Sequence, residues 1–248
     1  MPHEDEVQRQ FAGRVGIYDR RSAWILDPGL LAAIVGAYRG GRDARLLDVC
    51  CGTGAVGGAF ARHVGHRVGV DLTDAMLSQA RTRMDEVHQA DARHLPFADA
   101  SFDVVVSRQA MHFFDDPALP IREMGRVLRP GGQLILGQRV PYGEADAAWM
   151  AELNALKQPN LRTFILERHL LDAMASAGVG GVTVSDYFLW EDMHDWVASP
   201  EVPGPNRGRI LEHCRSAPAS VRAVHPMEIE GDDIRCRWRW MVAVGTRS

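Results

Sequence analysis

The chain has 248 residues, of which 46% are apolar and 24% charged, and its formal net charge at pH 7 is −4. This length and apolar content suffice for one α/β domain with a large core. The weakly acidic charge does not favour binding to nucleic acid, because phosphates require a basic protein surface. No stretch approaches the ~20 apolar residues of a membrane span and the amino terminus is acidic and polar, so we expect a cytoplasmic protein with neither a membrane span nor a nucleic-acid partner.

Helices and strands are predicted to alternate from residue 28 to residue 138. The apolar pattern indicates helices at about 28–38, 55–64, 74–84 and 117–128, and strands at 45–50, 66–71, 86–90, 102–107 and 133–138. Such alternation requires right-handed crossovers and a parallel sheet with helices on both faces. We therefore predict a doubly wound α/β fold, in which a ligand binds beyond the carboxyl ends of the strands.

The last third of the chain predicts further elements. Helices are indicated at about 144–157 and 163–177, and residues 182–187 alternate as a strand does. The stretch 190–226 is rich in proline and charge, and we interpret it as a cover on the substrate side. Strict alternation over 234–240 predicts a half-exposed strand. One face of this strand carries Arg235, Arg237 and Arg239, and the other carries Cys236, Trp238 and Trp240. The arginine row could hold an acidic substrate or be solvated and salt-bridged.

The most informative motif is the sequence LLDVCCGTG, from Leu46 to Gly54. The apolar run predicts a buried parallel strand, and its glycines allow a tight turn whose backbone passes close to a ligand. The following helix would point its free N–H groups back at that ligand. Gly52-x-Gly54-x-x-Gly57, with Asp71 further on, also fits a dinucleotide fingerprint, so the loop alone leaves the ligand open. Asp48 favours a cationic ammonium over a pyrophosphate. S-adenosylmethionine carries such an ammonium and has no phosphate.

Five motifs follow one another in order between residues 46 and 136. They are LLDVCCGTG (46–54), VGVDL (68–72) with Met76-Leu77, ADA (90–92) with LPF (95–97), SFDVVV (101–106) and RVLRPGG (126–132). In this order the chain resembles the class I S-adenosylmethionine-dependent methyltransferases, in particular the ubiquinone and menaquinone biosynthesis branch, the type 11-like methyltransferases. The resemblance implies a mostly parallel, seven-stranded Rossmann-like sheet whose last strand is antiparallel.

The same resemblance implies S-adenosylmethionine as cofactor and S-adenosylhomocysteine as product. It also implies a single domain over residues 1–248. Residues 1–40 would form a helical lead-in, residues 41–140 the cofactor-binding core, and residues 141–248 the substrate-side elements and final strands.

Several residues are assigned by the resemblance to the amino-acid portion of the cofactor. Asp48 would favour its ammonium, directly or through water, while Cys50 is a small residue packed beneath the loop rather than a nucleophile. Main-chain groups of Gly52, Thr53 and Gly54 would line this portion, Ser107 and Arg108 would end the fourth strand beside it, and Tyr18 would lie over it. An ordinary surface tyrosine is the alternative for Tyr18.

The adenosine portion is assigned in the same way. Asp71 would accept from both ribose hydroxyls, and Leu72 and Met76 would pack on the adenine face. Asp91 would accept from the exocyclic amine, and the Ala92 N–H would donate to a ring nitrogen. Helix capping or strand-end solvation is the alternative role for the acids.

Catalysis by in-line displacement at a sulfonium depends on alignment in a dry pocket and does not require a base. Where the acceptor needs one, His112 is the best-placed histidine after the fourth strand. Its alternative role is to order the loop or touch the cofactor. His194 and Trp196 could line an acceptor pocket or belong to a solvent-facing loop. The four cysteines lack the spacing of a zinc site, so we expect no metal.

The sequence therefore predicts an enzyme that moves a methyl group from S-adenosylmethionine to a small, cyclic or aromatic acceptor. Oxygen, nitrogen and carbon acceptors all stay open, in specialised or quinone-type metabolism. Three alternatives remain at this stage: rearrangement or decarboxylation that uses the sulfonium as a fixed cation, a non-catalytic nucleoside-binding subunit, and a nicotinamide-dependent oxidoreductase. A homodimer is also left open.

Overall fold

The computed structural model describes residues 8–9, 11–13, 18–21, 23–158, 161–199 and 202–248. Its strands are β1 (Arg45–Val49), β2 (His66–Asp71), β3 (Glu86–Gln89), β4 (Phe102–Arg108), β5 (Leu128–Val140), β6 (Val179–Asp192), β7 (Met227–Glu230) and β8 (Asp233–Arg247). They form one sheet in the order β3-β2-β1-β4-β5-β8-β6, with β7 paired to β8.

The helices of the described chain alternate with the strands up to β3, and later ones lie in groups of two between β5 and β6 and three between β6 and β7. They are α1 (Tyr18–Arg21), α2 (Pro28–Gly36), α3 (Ala55–Ala59), α4 (Asp74–Ala80), α5 (Ala118–Val127), α6 (Glu144–Lys157), α7 (Glu167–Ser176), α8 (Met193–Val197), α9 (Gly204–Arg215) and α10 (Ala219–Arg222). A short 3₁₀ helix, Met111–Phe113, follows β4. None of the helices described is both long and apolar enough to cross a bilayer.

Parallel pairing brings the carboxyl ends of the first strands to one edge of the sheet. β1 pairs in parallel with both β2 and β4, and β2 pairs in parallel with β3. β8 runs antiparallel to both β5 and β6, as predicted for the last strand. The predicted doubly wound, mostly parallel sheet is confirmed. The acids that end β1 and β2 therefore lie on the same edge as the loop after β4.

Both faces of the central strands are buried, which is why their sequences are continuous apolar runs rather than alternating ones. Leu46 and Val104 belong to one core cluster, and their neighbours Leu47 and Val105 belong to the cluster on the opposite face. All four are fully buried. Each such side chain contributes roughly 1.5–3 kcal/mol of hydrophobic free energy, so the central strands fix the position of the loops that follow them.

Helix α3 is shorter than the predicted 55–64 because it contains two adjacent glycines that the packing requires. A Cβ at Gly57 would collide with the Met84 side chain and lie 3.1 Å from Asp48 Oδ2, and one at Gly58 would lie 3.2 Å from Arg83 Cβ. Glycine in a helix interior costs roughly 0.5–1 kcal/mol relative to alanine. The close approach of Asp48 and Arg83 to α3 is thus obtained at the expense of helix stability.

The strand β7 was not predicted; it forms a hairpin with β8 around Gly231, whose φ is +59°. The stretch 190–226 also has a different role from the predicted cover. Its described residues complete β6 and form α8, α9 and α10, which pack against α6 and β8. Ile210 and Trp196 are buried there. The prolines separate short helices whose apolar sides belong to the core.

Candidate functional site

A cavity with two lobes opens beyond the carboxyl ends of β1, β2 and β4. The larger lobe has an empty volume of about 860 Å³, counted to its open mouth, and the smaller one about 330 Å³. The two lobes share Tyr18, Cys50, Gly52 and Arg108. The larger volume lies in the range of ligand sites, ~300–1,000 Å³.

The cavity gathers most of the predicted cofactor residues. In addition to the four shared residues, the larger lobe is lined by Asp71, Leu72, Met76 and Asp91, and the smaller lobe by Asp48 and Thr53. Gly54, Ala92 and Ser107 line neither lobe. The carboxylates of β1, β2 and the loop after β3 thus converge on one cavity.

The loop after β1 places backbone rather than side chains against the cavity. Cys50 has a φ of +57°, Gly52 of +53° and Gly54 of +77°. A Cβ on Gly52 would meet no atom within 4 Å, so the loop leaves open space there. Gly54 faces inward instead, because a Cβ on it would lie 3.2 Å from Ala80 Cα. Gly52 therefore provides room for a ligand, and Gly54 allows close packing of the loop on α4.

Asp48 is a buried acid beneath this loop. Its Oδ2 accepts the N–H of Gly57 at 2.8 Å, and its residue is 1% exposed. Burial raises the pKa of Asp48 to about 7, although the Gly57 hydrogen bond and the Arg108 charge act in the opposite direction. A cation that enters the smaller lobe would stabilise the ionised carboxylate.

Asp71, at the end of β2, holds two loops together. Its Oδ2 accepts the Gly52 N–H at 2.8 Å, and its Oδ1 accepts the Thr73 N–H at 2.9 Å. Burial raises the pKa of Asp71, and these two N–H groups oppose the rise. A carboxylate can accept several hydrogen bonds, and Asp71 lines the larger lobe, so it can also accept from a ligand diol there.

Asp91 has a partner that the sequence analysis missed. The Arg93 backbone N–H and Nε donate to Asp91 Oδ1 at 2.9 and 3.0 Å, and Nε and Nη2 donate to Oδ2 at 2.9 and 2.5 Å. Burial acts to raise the pKa of Asp91, but the Arg93 hydrogen bonds outweigh it and lower the pKa. Both residues line the larger lobe. The predicted acceptor for an adenine amine is therefore already engaged by a guanidinium.

Arg108 places a cation where the two lobes meet. Its Nη1 and Nη2 donate to the carbonyl oxygens of Trp24 and Ile25 at 3.3 and 2.8 Å, and its guanidinium lies 5.0 Å from the centroid of a Trp24 ring. Burial lowers the pKa of Arg108, which the nearby acids oppose. An arginine keeps its charge under such conditions, so Arg108 can receive a ligand carboxylate opposite Asp48.

Ser107 and Ala92 have no contact with the cavity. The Ser107 hydroxyl donates to the Val49 carbonyl at 2.8 Å and ties β4 to β1. The Ala92 residue is buried at 5% exposure between Asp91 and Arg93. Their assignment to the cofactor stays a prediction, and the geometry supports a structural role for the Ser107 side chain.

His112 is buried behind the loop that lines the larger lobe. Its Nδ1 lies 3.2 Å from Nε2 of Gln138, which is 2% exposed. Burial, and after it the charge of Arg139, lower the pKa of His112 to about 3. Its carbonyl oxygen accepts the N–H groups of Arg162 and Thr163 at 3.0 and 3.2 Å. The role as a base stays a prediction, and these contacts favour the alternative in which His112 orders the loop.

The other acceptor candidates have partners away from the cavity. His194 Nε2 lies 2.7 Å from the Asp232 carbonyl oxygen, and Trp196 stacks on Trp238 with 5.7 Å between ring centroids. Arg239 donates to Asp186 and Glu167 at 2.9 and 2.6 Å. Among the arginines of β8, Arg235 pairs with Glu228 at 3.0 Å, and Arg237 lies 4.9 Å from the Phe188 ring centroid. The arginine row is thus salt-bridged and packed on aromatic rings.

Three phenylalanines of the cavity were not selected from the sequence. Phe11, Phe113 and Phe114 line the larger lobe together with Gln109. An unusual backbone conformation occurs at the strand ends beside the cavity. Cys50 and Gln109 directly follow β1 and β4, and their φ angles are positive, +57° and +53°. Non-glycine residues rarely adopt this conformation, and such strain clusters at ligand sites. Among the residues that the structure describes, no group of three or more His, Cys, Asp or Glu side chains could hold a metal ion.

Comparison with known proteins agrees with this geometry. Residues 47–136 match the family model of the methyltransferase domain. The chain is 28% identical over 191 residues to the uncharacterized methyltransferase YcgJ of Bacillus subtilis (strain 168). This alignment covers 73% of this chain and 74% of YcgJ. It is 41% identical over 96 residues to the demethylmenaquinone methyltransferase of Chlorobaculum parvum, 38% of this chain and 40% of that protein. The crystal structure of YcgJ superposes with a TM-score of 0.80 at 22% identity, over 88% of this chain and 97% of that one.

The sheet order, the glycine loop and the strand-end acids around one cavity define a nucleoside-binding α/β enzyme. Residues 47–136 form a methyltransferase domain, and these similarities support a class I S-adenosylmethionine-dependent methyltransferase of the type 11 branch with S-adenosylmethionine as its cofactor. This removes the dinucleotide alternative that the glycine spacing had left open. The reaction is methyl transfer from this cofactor to a small molecule.

Proposed function

We propose that the acceptor is a cyclic or aromatic metabolite, methylated on oxygen, nitrogen or carbon, in specialised or quinone-type metabolism. The observation that carries this proposal is the set of rings around the larger lobe. Phe11 meets Phe113 edge-to-face at 5.4 Å and Tyr18 at 6.0 Å between centroids. A flat apolar acceptor can pack against such rings with a gain beyond the buried area alone. A long flexible chain would gain less from them.

The residues of the cavity fit the two ends of S-adenosylmethionine. Asp48 below the smaller lobe suits its ammonium, and Arg108 at the junction suits its carboxylate. Asp71 can accept from the ribose diol, with Leu72 and Met76 beside it as apolar surface for the adenine. The open space at Gly52 leaves room for the ligand between them.

The bound cofactor supplies an electrophilic methyl group on a positively charged sulfur. The chain's own contribution is alignment and an apolar surface around the acceptor, because Tyr18 and Arg108 border both lobes and the phenylalanine rings line the larger one. Holding donor and acceptor in line supplies most of the acceleration such a displacement needs. His112 is buried and lies 3.2 Å from Gln138 Nε2, so the proposed mechanism assigns it no proton transfer.

The similarity to demethylmenaquinone methyltransferase does not transfer its substrate. It spans 38% of this chain. The elements after residue 140 include the salt-bridged arginine strand and α8 to α10, and they are where this chain departs from the quinone branch. These departures favour specialised metabolism over quinone synthesis.

A panel of acceptors tests the proposal. Hydroquinones, catechols and aromatic amines would be incubated with the protein and S-adenosylmethionine, with linear alcohols and amines as matched controls, and S-adenosylhomocysteine would be measured by mass spectrometry. We expect turnover with ring acceptors only. A Phe113→Ala variant should raise the KM for a ring acceptor while the Kd for S-adenosylmethionine changes less. Turnover confined to linear acceptors would overturn the proposal. An altered acceptor without S-adenosylhomocysteine would indicate rearrangement or decarboxylation instead.

A further inference from the structure

Gln109 is the first residue after β4, and it is fixed to β5 at two points. Its backbone N–H donates to the Gly137 carbonyl at 2.8 Å, and its side-chain Oε1 accepts the backbone N–H of Arg139 at 2.8 Å. The side-chain oxygen thus takes the place of the backbone carbonyl that β4 would offer to β5 if the strand continued. The two contacts hold Gln109 in one orientation at the carboxyl edge of the sheet.

The contact with Arg139 also determines which way round the Gln109 amide lies. A backbone N–H can only donate, so the amide atom that faces it must be the oxygen rather than the nitrogen. An amide is planar and its oxygen and nitrogen diverge, so the NH2 group points away from the Arg139 N–H. Among the residues that the structure describes, none accepts a hydrogen bond from Gln109 Nε2. Its N–H donors are therefore left for a ligand.

Gln109 shares the larger lobe with the rings that are proposed to hold the acceptor. It directly follows Arg108, which borders both lobes, but Gln109 itself borders only the larger one. Phe113 and Phe114 line that lobe from the same loop. The other polar side chain that this loop places at the lobe is Asp115, a hydrogen-bond acceptor that is 82% exposed. Within the loop after β4, Gln109 is thus the side chain that offers hydrogen-bond donors to the lobe.

The backbone at Gln109 has a conformation that does not itself call for a glutamine. Its φ is +53°, in the left-handed region that glycine adopts without strain and that other residues rarely adopt. A glycine would make the same turn, but it would lack the amide. Strain of this kind clusters at sites that contact ligands. The backbone therefore supports a role for the Gln109 side chain beyond the turn.

We propose that Gln109 selects the methyl acceptor, and that its Nε2 donates a hydrogen bond to an oxygen atom on the acceptor ring. This oxygen accepts hydrogen bonds, as a carbonyl or ether oxygen does, and it is not the atom that is methylated. The contact is a hydrogen bond in the bound complex, so it adds no bond-making or bond-breaking step to methyl transfer. This role rests on the proposed function, because it requires a ring acceptor in the larger lobe.

Matched phenols test whether such an oxygen is recognised. The ortho, meta and para isomers of methoxyphenol would each be compared with the corresponding ethylphenol, which has a similar size but a CH2 group in place of the ether oxygen. Initial rates of S-adenosylhomocysteine formation give kcat and KM, and calorimetry gives the Kd for the complex of the protein with S-adenosylhomocysteine. For at least one isomer, the wild-type protein should prefer the methoxyphenol about tenfold in Kd and KM, because the ethyl group leaves the amide without a partner.

Two variants of Gln109 and one control separate recognition from folding. Gln109→Glu keeps an oxygen for the Arg139 N–H but replaces the donor with a second oxygen, so it should abolish or reverse the preference for methoxyphenol, through KM more than kcat. Gln109→Met should abolish the preference without adding a charge, and its Kd for S-adenosylhomocysteine should change less than about threefold. Gln133→Glu is the matched control, because Gln133 Oε1 also accepts a backbone N–H, that of Arg39 at 2.7 Å, but at the opposite end of β5. This variant should retain the wild-type preference.

Wild-type affinities for each methoxyphenol and its ethylphenol that agree within about twofold would overturn the role of Gln109. A preference that persists in both Gln109 variants would overturn it as well. Equal weakening of all the phenols in these variants would show that Gln109 only orders the loop. A wild-type protein that binds none of the phenols would instead contradict the proposed ring acceptor, so the two failures are distinct. Melting curves show whether either variant is unfolded, and the other variant then decides.

Discussion

The backbone N–H of Gly57 donates to the buried Asp48 carboxylate at 2.8 Å, and a side chain at position 57 would press on that carboxylate. One glycine thus provides the hydrogen bond that keeps a charge under the cofactor loop and the space in which that charge lies. Even with this donor, burial leaves the pKa of Asp48 at about 7. Cofactor binding and folding should both depend on pH through this carboxyl group.

The affinity for S-adenosylmethionine should rise with pH and level off above about pH 7. The ammonium of the ligand favours ionised Asp48, so binding below the pKa must release a proton, and affinity falls up to tenfold for each pH unit below it. Calorimetric titrations from pH 5.5 to 8.5, in two buffers of different ionisation enthalpy, measure both affinity and proton release. Asp48→Asn should bind weakly with little dependence on pH. A wild-type profile that is flat over this range would contradict the role given to Asp48.

The same substitution should stabilise the ligand-free protein at high pH. The folded pKa of Asp48 is raised above the unfolded value of 3.8, so the folded state binds the proton more tightly and stability falls as pH rises from about 4 to about 7. Asparagine carries no charge at any of these values. In urea denaturation, Asp48→Asn should therefore gain stability relative to wild type at pH 8 and gain least at pH 4. Equal differences at the two pH values would show that the charge is not the cause.

Asp71→Ala should weaken S-adenosylmethionine binding by roughly 1–3 kcal/mol, because two ligand hydroxyls lose their acceptor. It also frees the N–H groups of Gly52 and Thr73, which Asp71 now accepts. Asp74→Ala is a suitable control, since the Asp74 side chain is 68% exposed and lies in the next helix. Calorimetry at pH 8 compares the two. Similar losses in both variants would mean that Asp71 acts only through the fold.

His112→Asn should reduce kcat by less than about tenfold, whereas loss of a general base costs typically 10²–10⁴-fold. With a pKa of about 3, His112 is neutral across the working range and cannot produce a kinetic limb near pH 6–7. Rates with the best ring acceptor, measured from pH 5.5 to 9, test both statements. If kcat fell 10³-fold and the pH–rate profile lost a limb near pH 6–7, His112 would be the base after all.

The strands were predictable because a parallel strand buried on both faces leaves a continuous apolar run, and the ends of β2 and β4 fall within a residue of prediction. Asp48 and Asp71 were predictable for the same reason, since each lies at the end of such a run, whereas Asp91 follows the polar strand β3 and was assigned by the motif ADA. Contacts between distant parts of the chain were not predictable from the sequence. Arg83, which donates to Asp19, is 64 residues from it, and no local pattern pairs the two. Arg93 could have been suspected two residues after Asp91, but its turn back onto that acid depends on the loop.

The prolines of 190–226 led to the interpretation as a cover because a proline indicates where a helix ends. It does not indicate which side of the helix is buried. Short helices between prolines can belong to the core when their few apolar residues share one side, as in α8 and α9. The sequence also did not indicate that the phenylalanines of the larger lobe face a cavity. Apolar side chains give the same pattern whether they face a core or a ligand.

The core of the last third also contains a buried pair that should control its stability. Asp146, fully buried at the start of α6, accepts from His225 Nδ1 at 2.9 Å and from the N–H groups of Tyr142 and Gly143 at 3.1 and 3.0 Å. Burial acts to raise the pKa of Asp146, but His225 and the two N–H groups outweigh it and lower the pKa. The stability from this group is present above the unfolded value of 3.8 and is lost as pH falls through the folded pKa.

We therefore expect Asp146→Asn to destabilise the protein at pH 7 by about 2–4 kcal/mol, because it weakens a buried pair and one of the helix-start contacts. His225→Gln should cost a similar amount, and the double variant less than the sum of the two. The difference between Asp146→Asn and wild type should shrink as the pH is lowered toward 3. Urea denaturation at pH 7 and pH 3.5 measures this, and S-adenosylmethionine affinity should stay unchanged in the folded variants, since neither residue lines the cavity. A strictly additive double variant would show that Asp146 and His225 stabilise the fold independently.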